Sequence, residues 1–473
     1  MVFSSIVFLL FFLPAFLAIY YLTPKKFKNY VVLIASIFFY AWGAPKFVFI
    51  LLGSIIITFY LVRWMHHTKE INHKKLILFL SLFINLGFLI YFKYANFFIE
   101  NVNAVFEQFG IQAYSWTKII LPIGISFYTF QTITYAIDVY RKVHDPLNKL
   151  SDYTLYIIMF PQLIAGPIVR YNFIADQLVD RKDTYEDRLM GFYRFCIGLA
   201  KKVLVANTLG AQADLIMAMD FHSISSSMAW IGILAYTFQI YFDFSGYSDM
   251  AIGIGRMIGF RFPENFDNPY VSKSITEFWR RWHITLGAFM KFYLYIPLGG
   301  NKVKTNRRLY FNLWFVFLVS GLWHGASWNF VIWGAFHGFF LVIERLFLGN
   351  VLKRAGKTIS LVYTFFVTIM GWVIFRIEDY KAAFIYYRKL FSFEFESISI
   401  PDQNEFFTML IIAVFFSFFT LFPGGKWFEK KVFYSTYDRR AIYAGFVVSI
   451  LLFIFSVSAI TTSDFNPFIY FRF

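Results

Sequence analysis

The sequence predicts an all-α polytopic membrane protein with about 10–13 transmembrane helices and further re-entrant or interfacial helices. A run of about 20 apolar residues is long enough to cross a bilayer as one helix. Three observations support this fold class. Of the 473 residues, 59% are hydrophobic and only 15% are charged. The mean hydropathy is +0.57, and apolar runs long enough to span recur along the chain. Basic residues cluster in short loops between those runs, where they set orientation.

The charge balance and the cysteine count exclude several classes of protein. There are 44 basic and 28 acidic residues, a net charge of +16. Because no soluble domain is left to use this charge, we expect no nucleic-acid partner. The single cysteine, Cys196, permits neither an internal disulfide nor a thiolate cluster. No histidine spacing such as HExxH is present, so no metal site is predicted.

Helix breakers and loops divide the apolar sequence. Residues 1–22 read as a retained first span, because no basic region or cleavage site marks a removed signal. The run Tyr30–Tyr60 is interrupted at Gly43 to Pro45, which predicts a hairpin. Proline and glycine also interrupt the segments near residues 122 and 161–167. Further spans are predicted at Leu76–Phe98, Gly191–Leu204, Met228–Tyr241, Ser360–Phe375, Phe406–Phe422 and Ile442–Ile460.

His324 lies inside the long apolar stretch Leu309–Leu348. One helix of this length would be about 60 Å long, twice the thickness of the hydrocarbon, so the stretch must fold back. The small residues from Ser320 to Ser327 predict the break, with His324 at or near its apex. An ionisable side chain at membrane depth is by default a functional candidate. The alternative is a histidine that caps a helix end.

The stretch YFDFSGYSDMAIGIGRMIGF, residues 241–260, places Asp243 and Asp249 among apolar residues. Gly255 and Gly259 stand at the spacing that allows close helix packing. Asp243 is expected either to pair with Arg256 or another cation as support, or to act directly in catalysis.

An amphipathic helix is predicted to begin near Ile275, because Ser274 and a glutamate three residues later form a capping box. Apolar residues recur on one side of it through residue 289, and Arg280, Arg281 and His283 would suit an anionic or carbonyl-bearing ligand. The helix either lies at the membrane surface or enters the membrane as a re-entrant segment. His337 lies off the face that carries His324 and is interpreted as packing.

These residues favour acyl transfer within one domain, residues 1–473, with a core motif block at about 236–338 and a tail at about 461–473. Neutral imidazole takes a proton from a hydroxyl that attacks a carbonyl, and a protein-lined cavity keeps water from an activated thioester. A transporter or flippase for a lipid-linked or acyl substrate is the main alternative, and a non-catalytic scaffold is a third.

Six motifs resemble the membrane-bound O-acyltransferase (MBOAT) superfamily: PQLIAGPIVRY, YFDFSGYSD, ENFDNPY, TEFWRRWHITL, YIPLGGNK and GLWHGASWNFVIWGAFHG. The resemblance covers essentially the whole chain and is closest to the bacterial alginate and peptidoglycan O-acetyltransferases, with teichoic-acid D-alanyltransferases more distant. It implies a ring of helices around a central funnel or tunnel. It also implies that His324 is the catalytic base and His283 the second catalytic histidine. Candidate binding or support residues are Arg280, Arg281, Asp243, Asn268 and Trp323.

The resemblance further implies a reaction across the bacterial cytoplasmic membrane. The acyl donor is a cytoplasmic thioester, expected to be acetyl-CoA, with no bound cofactor. The acceptor is an exported polysaccharide such as alginate, or peptidoglycan, reached with an extracytoplasmic SGNH hydrolase-like partner. Because the basic loops face the cytoplasm, both termini are expected outside.

The tail carries a further motif, F-x-Y-x-x-F at residues 468–473. In related systems this pattern closes a small companion subunit, which implies that Tyr470 receives the acyl group as an ester before passing it on. The alternative is an aromatic tail that anchors at the membrane interface.

Overall fold

The computed structural model describes residues 1–433, 439–463, 465–467 and 469. These residues form α-helices with short 3-10 and π-helical turns and one isolated β-bridge, between Phe266 and Trp282. The predicted all-α fold is therefore confirmed. The helices are α1 (Leu13–Leu22), α2 (Lys28–Gly43), α3 (Val48–His67), α4 (Ile71–Gln108), α5 (Ile125–Tyr140), α6 (Leu150–Ile158), α7 (Phe160–Leu163), α8 (Tyr171–Val179), α9 (Tyr185–Ala200), α10 (Asn207–Met217), α11 (Ser226–Met257), α12 (Ile275–Arg281), α13 (Ile284–Phe289), α14 (Asn306–His324), α15 (Trp328–Ile343), α16 (Gly349–Ala355), α17 (Lys357–Arg376), α18 (Tyr380–Leu390), α19 (Gln403–Phe418), α20 (Gly425–Phe433) and α21 (Arg439–Thr462).

Several helices are long and apolar enough to cross a membrane, which confirms a polytopic protein. Within the described ranges six segments meet that length and composition, and Val7–Leu22 is a shorter apolar helix. The expected total of about 10–13 crossings stays a prediction. The six segments are Val48–His67, Ile71–Gln108, Trp328–Ala355, Lys357–Arg376, Gln403–Leu421 and Arg440–Thr462.

The chain forms two compact units. The first comprises Met1–Arg188 and Ile254–Phe262, and the second comprises Leu189–Gly253 with the described part of Pro263–Phe473. Both candidate catalytic histidines lie in the second unit. The prediction of one domain over residues 1–473 stays a prediction.

The first unit contains the predicted hairpin and the predicted broken segments. Helices α2 and α3 are separated at residues 44–47, and the span expected at 76–98 lies inside the longer helix α4. The proline-rich segment after α6 is buried, and protein groups pair with backbone atoms near both of its ends. Ser36 Oγ accepts from Phe160 N at 3.1 Å, and Tyr156 Oη donates to Val169 O at 3.0 Å. Irregular backbone inside an apolar fold requires such partners.

Helix α11 is a continuous helix of 32 residues. The span expected at Met228–Tyr241 therefore continues without a break into the stretch that carries Asp243 and Asp249. Of the partners expected for Asp243, Arg256 is excluded and another cation is left, because Asp243 and Arg256 lie about 20 Å apart along one helix. Arg256 Nε instead contacts Asp187 Oδ1 at 3.1 Å in the first unit.

Small residues let α9 and α11 approach closely within the second unit. A Cβ on Gly198 would lie 2.5 Å from Gly246 O, and one on Gly253 would lie 2.6 Å from Gly191 O. Close approach of helix backbones is the use of small residues expected in membrane proteins. The sequence analysis predicted close helix packing at Gly255 and Gly259. Gly259 instead has φ +83° and turns the chain after α11.

We predict that Gly198→Ala lowers the free energy of unfolding by about 1–3 kcal/mol, because the new methyl group meets backbone that side-chain rotation cannot move. Gly87→Ala in α4 is the matched control, since no atom lies within 4 Å of a Cβ there. The measurement is thermal denaturation of both purified variants in detergent. Equal melting temperatures for Gly198→Ala and the parent would contradict the prediction.

Candidate active site

His324 is the last residue of α14, directly before the turn that joins α14 to α15. The expected break therefore lies at residues 325–327, whereas Ser320 and Gly321 are still helical. The imidazole is only 7% exposed. Its ring centroid lies 5.1 Å from that of Trp333 and 5.3 Å from that of Phe375. His324 thus lies in an aromatic pocket of the second unit and does not face the outside of the protein.

The α14–α15 hairpin is held together by glycines, which explains how the His324 turn is positioned. A Cβ on Gly321 would lie 3.0 Å from Gly334 Cα, so the two helices touch backbone to backbone. This tight hairpin places His324 and Trp333 of the following helix beside each other. The glycines of the hairpin therefore determine both the position of the turn after His324 and the contact of His324 with Trp333.

His283 interrupts the predicted amphipathic helix. Ser274 Oγ accepts from Glu277 N at 3.0 Å, so the predicted start near Ile275 is confirmed. The helix ends at Arg281, however, and His283 has φ 47° and ψ 53°, in the left-handed region. The expectation of one continuous helix through residue 289 was wrong.

A distant segment causes this break. Asp267 N donates to Arg281 O at 3.0 Å, and Ile284 N donates to Asn265 O at 2.9 Å. These bonds flank the β-bridge between Phe266 and Trp282. Backbone groups that would continue the helix are therefore paired with the segment 265–267, and α13 starts afresh at Ile284.

Of the two positions expected for this helix, the one at the membrane surface is wrong. Ile275, Phe278 and Trp282 are all at most 3% exposed. Trp279 packs against Phe317 and Trp333, whose ring centroids lie 5.2 and 5.3 Å away. Helix α12 is therefore part of the core of the second unit.

Asn265 holds the His283 ring. Its Oδ1 accepts from Thr285 Oγ1 at 2.8 Å and lies 3.1 Å from His283 Nδ1, while its Nδ2 donates to Ser248 Oγ at 3.1 Å. Because an amide oxygen only accepts, His283 Nδ1 carries the hydrogen of this bond. In the neutral ring Nε2 is then the basic nitrogen. The arrangement therefore leaves Nε2 as the nitrogen of His283 that could accept a proton.

Trp323 brings the two histidines into one cluster. Its ring centroid lies 4.9 Å from that of His324 and 5.9 Å from that of His283. Trp323 is 4% exposed, and His283 is 2% exposed. Residues 41 positions apart in the sequence thus meet around one buried indole. Phe244 of α11 covers the other side of His283, with a centroid distance of 4.7 Å.

His337 packs in the same core. Its ring centroid lies 4.9 Å from those of Trp279 and Trp333. Trp333 therefore separates His337 from His324, which is consistent with a packing role. Within the part of the chain that the structure describes, no three His, Cys, Asp or Glu side chains gather in a way that could hold a metal ion.

The remaining candidate residues have other described partners. Arg281 pairs with Glu277 at 2.9 Å and with Asp267 at 3.2 Å, so it supports the end of α12. Asn268 Nδ2 donates to Glu429 Oε1 at 2.6 Å. Burial raises the pKa of the Glu429 carboxyl. Asn265, three residues before Asn268, contacts the catalytic candidate instead.

Asp243 pairs with Lys202, at 2.8 Å, and both side chains are 2% exposed. Asp249, on the same helix, pairs with Arg194 and Lys201, each at 2.6 Å. Asp243 is thus one half of a buried ion pair, as the sequence suggested, and its partner is Lys202 and not Arg256. Tyr470 lies outside the described residues.

A basic cavity of about 670 Å³ adjoins α12 in the second unit. The acidic side chains there are engaged: Glu344 accepts from Ile275 N at 2.6 Å and from Thr276 N at 2.9 Å, and Glu277 pairs with Arg281. Among the described residues the five cations that line the cavity form no ion pair. They are Lys273, Arg280, Arg345, Lys353 and Lys357.

The second unit of this polytopic helical protein thus buries two imidazoles around one tryptophan, which makes the cluster a candidate active site within the membrane. The comparisons with known proteins specify the class of the protein. The family model for membrane-bound O-acyltransferases matches residues 141–378. The chain belongs to this family and is an acyltransferase, which decides against the transporter alternative.

Relatives match over most of their length. The chain is 46% identical to a probable alginate O-acetylase of Pseudomonas aeruginosa, over 83% of this chain and 75% of the relative. It is 39% identical to a probable alginate O-acetylase of Azotobacter vinelandii over the whole of both chains. It is 37% identical to a peptidoglycan O-acetyltransferase of Helicobacter pylori, over 81% of this chain and 78% of the relative.

We predict that Asn265→Ala lowers acyl transfer by roughly 10²-fold, because the His283 ring loses the acceptor that fixes its orientation. Asn265→Asp is the matched control, since its carboxylate still accepts from His283 Nδ1 and should retain much more activity. Both variants are compared by transfer rate per folded protein. Equal losses in the two variants would show that the acceptor at residue 265 is not the relevant property.

Proposed function

We propose that this protein is an O-acetyltransferase of the bacterial cytoplasmic membrane, with both termini outside. It takes an acetyl group from cytoplasmic acetyl-CoA and delivers it across the membrane for O-acetylation of an exported polysaccharide, alginate-like or peptidoglycan. The names of the relatives, alginate O-acetylase and peptidoglycan O-acetyltransferase, support this acceptor class. The observation that carries the proposal is the buried cluster in which His283 and His324 share Trp323.

His324 acts as the general base in the proposed reaction. Its neutral ring removes the proton of an acceptor hydroxyl while that oxygen attacks the thioester carbonyl. The C–O bond forms, the C–S bond breaks, and the departing thiolate takes the proton back from the imidazolium. His283, with Nδ1 held by Asn265, presents Nε2 as a second basic group. The surrounding aromatic rings exclude water, which would otherwise hydrolyse the thioester.

The basic cavity beside α12 supports a phosphorylated donor. CoA carries several phosphate charges, and Lys and Arg side chains without ion-pair partners are suited to bind them. Arg280 of α12 lines this cavity, and Trp279, its neighbour in sequence, packs in the histidine core. An anionic donor held at the cavity would therefore lie next to the helix that leads to His283.

A relay through the tail completes the proposed route. Tyr470 accepts the acetyl group as a phenolic ester, and an extracytoplasmic SGNH hydrolase-like partner takes it to the polysaccharide. The burial of Ile469, only 4% exposed and packed in the cluster that also contains Trp333 and Phe375, supports a tail that enters the core.

We predict that His324→Ala lowers acetyl transfer by about 10²–10⁴-fold, the range typical of a lost general base. Purified protein in liposomes is given radiolabelled acetyl-CoA, and labelled product is counted. His337→Gln is the matched control, because His337 contacts the same Trp333 and should leave most of the transfer intact. Retained labelling in the folded His324→Ala variant would refute the catalytic assignment.

We predict that Tyr470→Phe abolishes the covalent label on the enzyme and its onward transfer, because phenylalanine keeps the ring but lacks the oxygen that forms the ester. The label on the parent should be released by hydroxylamine, as expected of an ester. The comparison uses the same liposome assay with intact-mass analysis. Full transfer by Tyr470→Phe would refute the relay while leaving the role of His324 untouched.

A further inference from the structure

The buried pair Lys202 and Asp243 lies deep in the second unit. Lys202 belongs to the π-helical turn Lys201–Ala206 that continues α9, and Asp243 lies in the middle of α11. Their charged atoms are 2.8 Å apart, and each side chain is 2% exposed. Burying such a pair is unfavourable unless further hydrogen bonds use the remaining donors and acceptors. The location of those further bonds indicates what the pair does.

The further bonds reach the C-terminal tail. Asp243 Oδ2 accepts from Ile469 N at 2.9 Å, and Lys202 Nζ donates to Pro467 O. Asn207, which accepts from Lys202 Nζ at 2.6 Å, also donates from Nδ2 to Asn466 Oδ1 at 3.2 Å. Each member of the ion pair therefore binds one backbone group of the same short segment.

The seated segment reaches the aromatic core that surrounds the histidines. Ile469 is 4% exposed and belongs to the cluster that contains Trp333 and Phe375, both of which contact His324. Asp243 precedes Phe244, which contacts His283. A segment outside regular helix that enters an apolar core must find partners for its N–H and C=O groups, and a carboxylate and an ammonium supply both.

We propose that Lys202 and Asp243 are positioning residues that seat the tail, through residues 466, 467 and 469, in the core of the second unit. The docking stands on the described contacts alone. Its consequence for catalysis rests on the proposed function, because docking holds the chain directly before Tyr470 beside the His324 cluster. Asp249 has a different role: its two cations, Arg194 and Lys201, both belong to α9 and the turn that continues it.

The first test reverses the pair with Lys202→Asp and Asp243→Lys together. The reversed pair keeps its internal attraction, but residue 202 no longer donates to Pro467 O and residue 243 no longer accepts from Ile469 N. A Cys196→Ala, Ile469→Cys background reports the tail, because Cys196 is the chain's single native cysteine. The rate of maleimide labelling at residue 469 is measured in detergent, with Asp249→Asn as the control.

If the pair docks the tail, the labelling rate rises by about tenfold or more in the folded reversed-pair variant. This corresponds to a loss of about 1.4 kcal/mol in the free energy of tail docking. The Asp249→Asn control should label as slowly as the parent. A folded reversed-pair variant that stays protected would overturn the docking. Because labelling needs no catalysis, this arm remains decisive if acetyl transfer itself is absent.

The second test changes the tail alone, so it holds if the reversed pair does not fold. Ile469→Pro removes the N–H that Asp243 accepts, whereas Ile469→Ala removes a similar apolar contact and keeps that N–H. The positioning role predicts that acetyl transfer falls about tenfold further in Ile469→Pro than in Ile469→Ala. Equal transfer by the two variants would overturn it. If the ion pair were merely structural, Ile469→Pro and Ile469→Ala would show the same acetyl transfer.

Discussion

The hydrogen bond between Asn265 and His283 is the interaction on which the site depends. It fixes one nitrogen of the ring as a donor, and the same amide oxygen receives Thr285 at the start of α13. The backbone on either side of Asn265 pairs with the segment that leaves α12. Because these bonds lie in an apolar core, removing one would leave a buried polar group unsatisfied, at a cost of about 1–3 kcal/mol. The same segment around Asn265 thus ends helix α12 and orients the His283 ring.

Local signals in the sequence predicted much of the fold. Helix breakers predicted the α2–α3 hairpin and the turn after His324, because glycine, proline and small residues act on the backbone within a few positions. The capping box predicted the start of α12 through a bond between residues three apart. The composition predicted an all-helical membrane protein, since long continuous apolar runs suit α-helices, whose backbone hydrogen bonds close within each segment.

Partners distant in sequence could not be predicted in this way. The amphipathic pattern of residues 275–289 is continuous, yet a bridge to Phe266 ends the helix at Arg281. Asn265 and Asn268 look alike in the motif ENFDNPY, and only the fold shows that Asn265 reaches His283. Lys202 carries no local sign that it pairs with Asp243. The sequence suggested Arg256 or another cation as the partner of Asp243, and only the fold shows that the cation is Lys202.

Glu344 gives the α12 segment an unusual attachment. Its carboxylate receives Ile275 N, Thr276 N and Thr276 Oγ1, so the first turn of α12 is fastened to the end of the α14–α15 hairpin. The segment that leads to His283 is therefore hydrogen-bonded to the hairpin that carries His324. We expect such a frame to limit changes in the spacing of the two rings. If the proposed reaction takes place at these rings, selection between small and large acyl groups depends on the space that their aromatic neighbours leave. Replacing one of those neighbours by a smaller side chain is then expected to shift the preference toward longer acyl chains.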